Sequence, residues 1–186
     1  PKDGKNPEEL IRQADMAMYQ AKKNGKKNIH FYSEILEKDM IERISTEAKL
    51  QNAISNNEFI LHYQPKVDLL TGKLKGIEAL IRWRHNDTGL IYPDNFIPLA
   101  ENMGLISNIT MIVVEMVFDQ VESWRNTPME NTPISINISA IDFSNSQFIQ
   151  WIFNLIKERN IKPGIIEFEL TETVLFDDIN YVKDIL

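Results

Sequence analysis

Apolar and polar residues alternate with a period of two in four segments of the chain, the pattern of β-strands. These segments cover residues 59–69, 74–83, 134–140 and 165–170. Elsewhere apolar residues recur every three or four positions, which predicts amphipathic helices. The predicted helices cover residues 94–102, 106–124, 147–159 and 174–186. Strands that alternate with helices predict an α/β fold with parallel strands, except that the turn at Thr71-Gly72-Lys73 makes the first two strands an antiparallel hairpin.

The first 33 residues differ from the rest in charge, with 7 basic and 4 acidic side chains against a net charge of −10 in the remainder. Asn6 and Pro7 predict a helix start, Gly25 predicts its end, and residues 28–32 are predicted to form a short strand. Ser33 is predicted to cap a second helix, whose apolar stripe would pack against neighbouring structure. The pattern therefore predicts three segments: residues 1–33, a connecting helix over 34–56, and an α/β region over 57–186.

Composition excludes several classes of protein. The net charge of −7 and the lack of a basic stripe argue against a nucleic-acid polymer as partner. The sequence has no cysteine, so a disulfide framework and a thiolate metal site are both excluded. Because no apolar run reaches the roughly 18 residues of a membrane span, we expect no membrane contact in this segment and a cytoplasmic location.

Polar residues in the predicted strands are the main functional signal. Strand periodicity places Glu78, Leu80 and Arg82 on one face, while Asn137 and Glu169 lie on the polar faces of two later strands. A solvated face explains any one of these strands by itself. In a parallel sheet covered on both sides, however, a carboxylate is costly unless it is paired or bound to a cation. The three oxygen-bearing residues would suit Mg²⁺, Mn²⁺ or Ca²⁺.

Arg82 lies four residues beyond Glu78 on the same strand face. Its planar guanidinium could hold an anionic substrate such as a phosphate. A salt bridge to a neighbouring acid is an equally good interpretation. The sequence leaves these two alternatives open.

Five motifs resemble those of the EAL domain family in order and approximate spacing. They are Gln64-Pro65-Lys66-Val67, Glu78-Ala79-Leu80-Ile81-Arg82-Trp83, Pro98-Leu99-Ala100-Glu101, Asn137-Ile138-Ser139 and Glu169-Leu170-Thr171-Glu172. The resemblance implies a modified TIM-like (β/α)₈ barrel whose first strand is antiparallel to the others. It also implies a phosphodiesterase that uses Mg²⁺ or Mn²⁺ to open cyclic di-GMP to linear pGpG.

The resemblance implies roles for individual residues. Glu78, Asn137 and Glu169 would be the metal ligands, and Glu78 would thereby be catalytic. Glu172 would be a second catalytic-site acid, which holds an active-site loop in place. The family's usual Gln-Leu pair after the Asn137-Ile138-Ser139 motif is replaced by Asp142-Phe143, and the extra carboxylate would matter if it faced the metal.

Other residues would contact the cyclic dinucleotide or support the site. The resemblance implies that Gln64 and Arg82 bind the dinucleotide and that Leu80 packs near it. Glu101 and Ser139 would be supporting groups.

Residues 14–28 resemble the last helix and strand of a GGDEF (diguanylate cyclase) domain. In such domains the lysines matching Lys22 and Lys26 lie near nucleotide phosphates. The signature loop of that family is absent from this chain, so we expect no cyclic dinucleotide synthesis from residues 1–33.

A complete (β/α)₈ barrel takes about 250 residues, so residues 57–186 are predicted to hold about half of one, with four strands. We expect phosphodiesterase activity in the intact parent protein and little or none in this chain alone. The alternatives are a non-catalytic cyclic di-GMP receptor and a structural dimerisation fragment. The exposed barrel edge also predicts self-association.

Overall fold

A computed structural model describes residues 6–23 and 28–170 of the chain. Its helices are α1 (Pro7–Lys23), α2 (Glu34–Ser55), α3 (Pro93–Asn102), α4 (Ile106–Ser123), α5 (Ala140–Phe143) and α6 (Ser146–Glu158). Its strands are β1 (Phe59–Val67), β2 (Leu74–His85), β3 (Gly89–Ile91), β4 (Ile134–Ile138) and β5 (Ile166–Leu170). The chain divides into two compact units, Pro1–Lys49 and Leu50–Leu186.

Both helices of the first unit begin at the residues that the sequence predicts. The side-chain oxygen of Asn6 accepts a hydrogen bond from the amide of Glu9 at 2.8 Å, and the hydroxyl of Ser33 accepts one from the amide of Leu36 at 3.2 Å. Each cap satisfies a donor that a helix start leaves without a partner. The end of α1 that was predicted at Gly25 lies outside the described residues.

The strand predicted at residues 28–32 is wrong. Residues 28–33 adopt no regular secondary structure and lead directly into α2. Ile29 and Phe31, which suggested a strand, are 85% and 86% exposed. A strand is stabilised by pairing with another strand, and none of the described strands pairs with this segment.

The apolar stripe of α2 is buried only near its C-terminal end. Ile35, Ile41 and Ile44 are 72%, 56% and 62% exposed, whereas Leu50 and Ala53 are fully buried. These last two residues pack in the second unit, in a cluster of aromatic and aliphatic side chains. The prediction that the whole stripe packs against neighbouring structure is therefore wrong for the first part of the helix.

The second unit is built on one five-stranded sheet with the order β1-β2-β4-β5, and β3 pairs with β2. β1 is antiparallel to β2, while β2, β4 and β5 are mutually parallel. Both features confirm the predicted α/β fold with an antiparallel first strand. The sequence missed β3 because three residues are too few to show an alternating pattern.

The apolar faces of the strands pack against helices and form the core. Ile134 and Ile136 of β4 are fully buried in one cluster with Val117 and Phe118 of α4 and Leu155 of α6. In the neighbouring cluster of this unit, the fully buried ring of Trp83 contacts the rings of Phe59 and Phe96, with centroid separations of 6.3 and 5.9 Å. Because the helices cover this face, the polar residues of the same strands lie on the opposite one.

Candidate functional site at the polar strand face

Polar side chains from β1, β2, β4 and β5 meet on one face of the sheet. The strand register places Gln64 opposite Glu78, and Asn137 beside Glu169. The amide nitrogen of Asn137 donates to the Glu78 carboxylate at 2.8 Å. The structure therefore brings together the residues that the sequence singled out on three separate strands. We call the whole set the polar patch: Gln64, Lys66, Glu78, Ser135, Asn137, Glu167 and Glu169.

Lys66 belongs to this patch and was missed by the sequence analysis as a site residue. Its ammonium forms an ion pair with Glu169 and donates to the Ser135 hydroxyl at 2.8 Å. The bond to Glu169 holds the pKa of the lysine above its usual value, and the same bond lowers the pKa of the Glu169 carboxyl. Strand periodicity could have found Lys66, because it lies two residues after Gln64 and so shares its face.

The donors in the patch fit a hard divalent cation. Glu78 and Glu169 offer carboxylate oxygens, and Asn137 offers its amide oxygen because its amide nitrogen is already the donor to Glu78. The patch already attracts one cation, since Glu78 and Glu167 add to the field that Glu169 exerts on the Lys66 ammonium. Within residues 6–23 and 28–170, no three His, Asp or Glu side chains cluster as a ready metal site, so the third oxygen would come from the amide. The assignment of these residues as metal ligands stays a prediction.

A cavity of about 360 Å³ lies at the carboxyl ends of β2 and β4. In α/β sheets and barrels this is the edge at which ligands bind. Leu80, Asn137 and Ser139 line the cavity together with Pro98 and Glu101 of α3. The cavity is therefore next to the patch, which shares Asn137 with it. It also contains Leu80, the apolar side chain that was predicted to pack near a ligand.

Arg82 makes no ion pair within the described part of the chain, so the salt-bridge alternative is not supported there. Its guanidinium carbon lies 4.9 Å from the centroid of the Tyr92 ring, and its Nη1 donates to the carbonyl oxygen of Ile81 at 2.8 Å. Its Nε is buried and has no hydrogen-bond partner among these residues. The guanidinium therefore keeps a donor that an anion could use.

Asp142, the extra carboxylate that follows the Asn137-Ile138-Ser139 motif, is fully buried and is held by hydroxyl groups. It accepts hydrogen bonds from Ser107 at 2.5 Å, Thr110 at 2.7 Å and Ser139 at 2.7 Å. We call these three residues the hydroxyl cage. Asp142 is therefore bonded to the cage and ties α4 to the end of β4, which carries Asn137.

Several predictions concern residues that the structure does not describe. Glu172 and the helix predicted at 174–186 both fall in the segment 171–186, outside the described residues. Lys26 also lies outside them, whereas Lys22 is an exposed residue in the last turn of α1. Among the helices that are described, none is long and apolar enough to cross a membrane.

The fold and the site define the class of domain: an α/β sheet with an antiparallel first strand and an oxygen-rich patch on one face. Sequence comparison gives the family. The EAL domain model matches residues 47–185. The chain therefore belongs to the EAL domain family.

Individual relatives agree with this assignment. The chain is 35% identical to signaling protein YkoW of Bacillus subtilis, over 100% of this chain and 23% of YkoW. It is 33% identical to the bifunctional diguanylate cyclase/cyclic di-GMP phosphodiesterase MucR of Pseudomonas aeruginosa, over 96% of this chain and 26% of MucR. The solved PaMucR phosphodiesterase, in complex with c-di-GMP, superposes with a TM-score of 0.71 at 33% identity, covering 75% of this chain and 56% of that one. The chain spans about a quarter of the length of the curated relatives it matches.

Proposed function

We propose that the polar patch and its cavity bind cyclic di-GMP and, with Mg²⁺ or Mn²⁺, hydrolyse it to linear pGpG. The observation that carries this proposal is the meeting of Glu78, Asn137 and Glu169 on one patch beside the cavity, in a chain of the EAL domain family. The relative MucR is named as a cyclic di-GMP phosphodiesterase, and the PaMucR domain was solved with this ligand.

Three side chains would hold the cation through oxygen. Glu78 and Glu169 would each contribute a carboxylate oxygen and Asn137 its amide oxygen. A bound Mg²⁺ or Mn²⁺ would act as a Lewis acid on a phosphoryl oxygen. Glu169 would then have to exchange its ion pair with Lys66 for the cation, so the lysine competes with the metal for this carboxylate.

Other residues would bind the dinucleotide. Each phosphodiester group of cyclic di-GMP carries one negative charge, which suits the guanidinium of Arg82 with its buried, unpartnered Nε. Leu80 offers an apolar contact from the cavity wall. Gln64, opposite Glu78 in the register, would contribute hydrogen bonds from its amide. Glu172 keeps its proposed supporting role.

The test compares Glu78→Gln and Glu169→Gln with a matched control in the full-length protein. Each variant removes one charge and keeps the side-chain shape. We expect at least a hundredfold loss of cyclic di-GMP hydrolysis and weaker Mn²⁺ binding by calorimetry. Glu158→Gln makes the same change on an exposed position of α6 and should leave both unchanged.

Two results would decide against the proposal or redirect it. Wild-type turnover in both patch variants would overturn the assignment of the site. Tight binding of cyclic di-GMP without any hydrolysis by the wild-type protein would identify a receptor instead of an enzyme.

The proposal also predicts little turnover from the 186-residue chain by itself. Its support is that a (β/α)₈ barrel takes about 250 residues and that the described strands account for only part of such a barrel. Multiple-turnover release of pGpG by residues 1–186 would contradict this prediction. The GGDEF origin of residues 1–33, the boundaries at 34 and 57, self-association through the sheet edge and a cytoplasmic location also stay predictions.

A further inference from the structure

The short strand β3 places an aromatic ring against the guanidinium of Arg82. β3 pairs with the end of β2, with Ile91 opposite Trp83. One step further along this ladder, Tyr92 follows β3 and comes level with Arg82. Its ring centroid lies 4.9 Å from the guanidinium carbon, within the range of a cation–π contact.

Two contacts hold this guanidinium. Its central carbon lies over the Tyr92 ring, and the carbonyl oxygen of Ile81 accepts a hydrogen bond from Nη1 at 2.8 Å. The edge formed by Nε and Nη2 remains, and Nε is buried without a partner in the described part of the chain. This edge presents two parallel N–H groups, the geometry that grips two oxygens of a phosphate.

We propose that Tyr92 is a positioning residue that holds the Arg82 guanidinium in place through the cation–π contact, so that the donors of its Nε–Nη2 edge bind a phosphodiester group. The inference rests on the proposed function for the identity of the ligand. It adds a residue to which the sequence analysis gave no role. A free arginine side chain loses rotamer entropy when it binds a ligand, and the ring removes part of that loss in advance.

A purely structural role fits the exposure of Tyr92 less well. The side chain is 54% exposed, so it buries only part of its ring on folding. Removal of an exposed ring should therefore change stability little and ligand affinity more. This difference makes the two roles separable by experiment.

The first experiment measures the affinity of the full-length protein for cyclic di-GMP by calorimetry. Tyr92→Leu should bind about three- to thirtyfold more weakly, the range that corresponds to the loss of a cation–π contact. Tyr92→Phe keeps the ring face and should bind within about twofold of the wild type. Tyr19→Leu is the matched control, because Tyr19 is 48% exposed and lies on α1.

The second experiment asks whether Tyr92 acts through Arg82. In an Arg82→Met background, Tyr92→Leu should cause no further loss of affinity. Equal losses in both backgrounds, or wild-type affinity for Tyr92→Leu by itself, would overturn the inference while the proposed function stands.

A third measurement needs no ligand and keeps the two proposals distinguishable. The NMR resonances of the Arg82 Nε–H group and its neighbouring methylene protons should carry a ring-current shift in the free protein. Tyr92→Leu should abolish this shift and Tyr92→Phe should keep it. Failure of the wild-type protein to bind cyclic di-GMP would overturn the proposed function. An Arg82 spectrum that Tyr92→Leu leaves unchanged would overturn the inference about Tyr92.

Discussion

The buried carboxylate of Asp142 permits a quantitative prediction about stability. Replacement by alanine removes the acceptor of three hydrogen bonds, from Ser107, Thr110 and Ser139. Asp142 is fully buried, whereas Ser107 and Ser139 are partly buried, so these hydroxyls lose bonds to a charged acceptor that water only partly replaces. Asp142→Ala should therefore destabilise the second unit far more than a typical surface substitution.

The magnitude follows from the contacts in the hydroxyl cage. A hydrogen bond to a charged group is worth about 1.5–3 kcal/mol. The Thr110 hydroxyl also reaches the carbonyl oxygen of Ile106 at 3.1 Å and can keep that partner, so two hydroxyls lose their acceptor. Removal of a buried charge recovers part of its desolvation cost, which favours the lower end of the range. The expected loss is about 3 kcal/mol for Asp142→Ala. It is about 1 kcal/mol for Asp142→Asn, whose amide still offers one oxygen acceptor.

Urea unfolding followed by circular dichroism tests this prediction. The midpoint for Asp142→Ala should fall well below that for Asp142→Asn at an unchanged slope. Asp87→Ala is the matched control, because Asp87 is exposed in the turn between β2 and β3. A cost for Asp142→Ala within about 0.5 kcal/mol of that control would refute the reasoning. Equal costs for the alanine and asparagine variants would show that charge rather than acceptor geometry stabilises the cage.

Two further predictions concern charged groups. The Trp83 indole donates a hydrogen bond to Glu58 at 2.9 Å, which lowers the pKa of that carboxyl from 4.5. The bond therefore contributes its full stabilisation above about pH 4.5. This contribution is lost as the pH falls through the lowered pKa of Glu58 in the folded protein. Glu58→Gln should flatten this part of the curve of urea midpoint against pH. Lys66→Met removes the cation that competes for Glu169. Because two like charges no longer repel one another across this partly exposed site, Mn²⁺ binding should tighten roughly tenfold by calorimetry.

Exposed residues of α6 provide the controls for both predictions. Glu158→Gln removes an exposed carboxylate and should leave the curve of urea midpoint against pH unchanged. A curve for Glu58→Gln that is as steep as that of the wild type would contradict the prediction for Glu58. For the metal, Lys157→Met removes an exposed lysine of α6 and should have no effect. Weaker Mn²⁺ binding in Lys66→Met would show that the lysine assists the cation rather than competes with it.

Local sequence patterns predicted most of the fold because their causes are local. Alternation with a period of two located β1, β2, β4 and β5, and Asn6 and Ser33 marked the helix starts through side chains that bond to amides three residues away. The prediction of a strand at residues 28–32 failed because an apolar stretch resembles a strand whether or not a partner strand exists. The three residues of β3 escaped for the opposite reason, since their pairing with β2 leaves no periodic trace.

The candidate site, too, was predicted from the sequence only where its cause is local. Parity along each strand and the adjacency of parallel strands placed Glu78, Asn137 and Glu169 on one face. The pairing of Lys66 with Glu169 joins residues 103 positions apart, and the contact of Tyr92 with Arg82 depends on the missed strand. Such contacts depend on the assembled sheet, so no local pattern reports them.

The charge balance of the polar patch links its structure to its proposed chemistry. Three carboxylates, those of Glu78, Glu167 and Glu169, act on a single ammonium, that of Lys66. With all four groups ionised, the patch keeps two negative charges, which repel one another on neighbouring strands. Water screens part of this repulsion, because the side chains of Lys66 and Glu169 are 38% and 39% exposed. One divalent cation would supply two positive charges and neutralise the patch. The imbalance therefore supports the proposed metal site, at which Lys66 would serve as counter-ion until a cation binds.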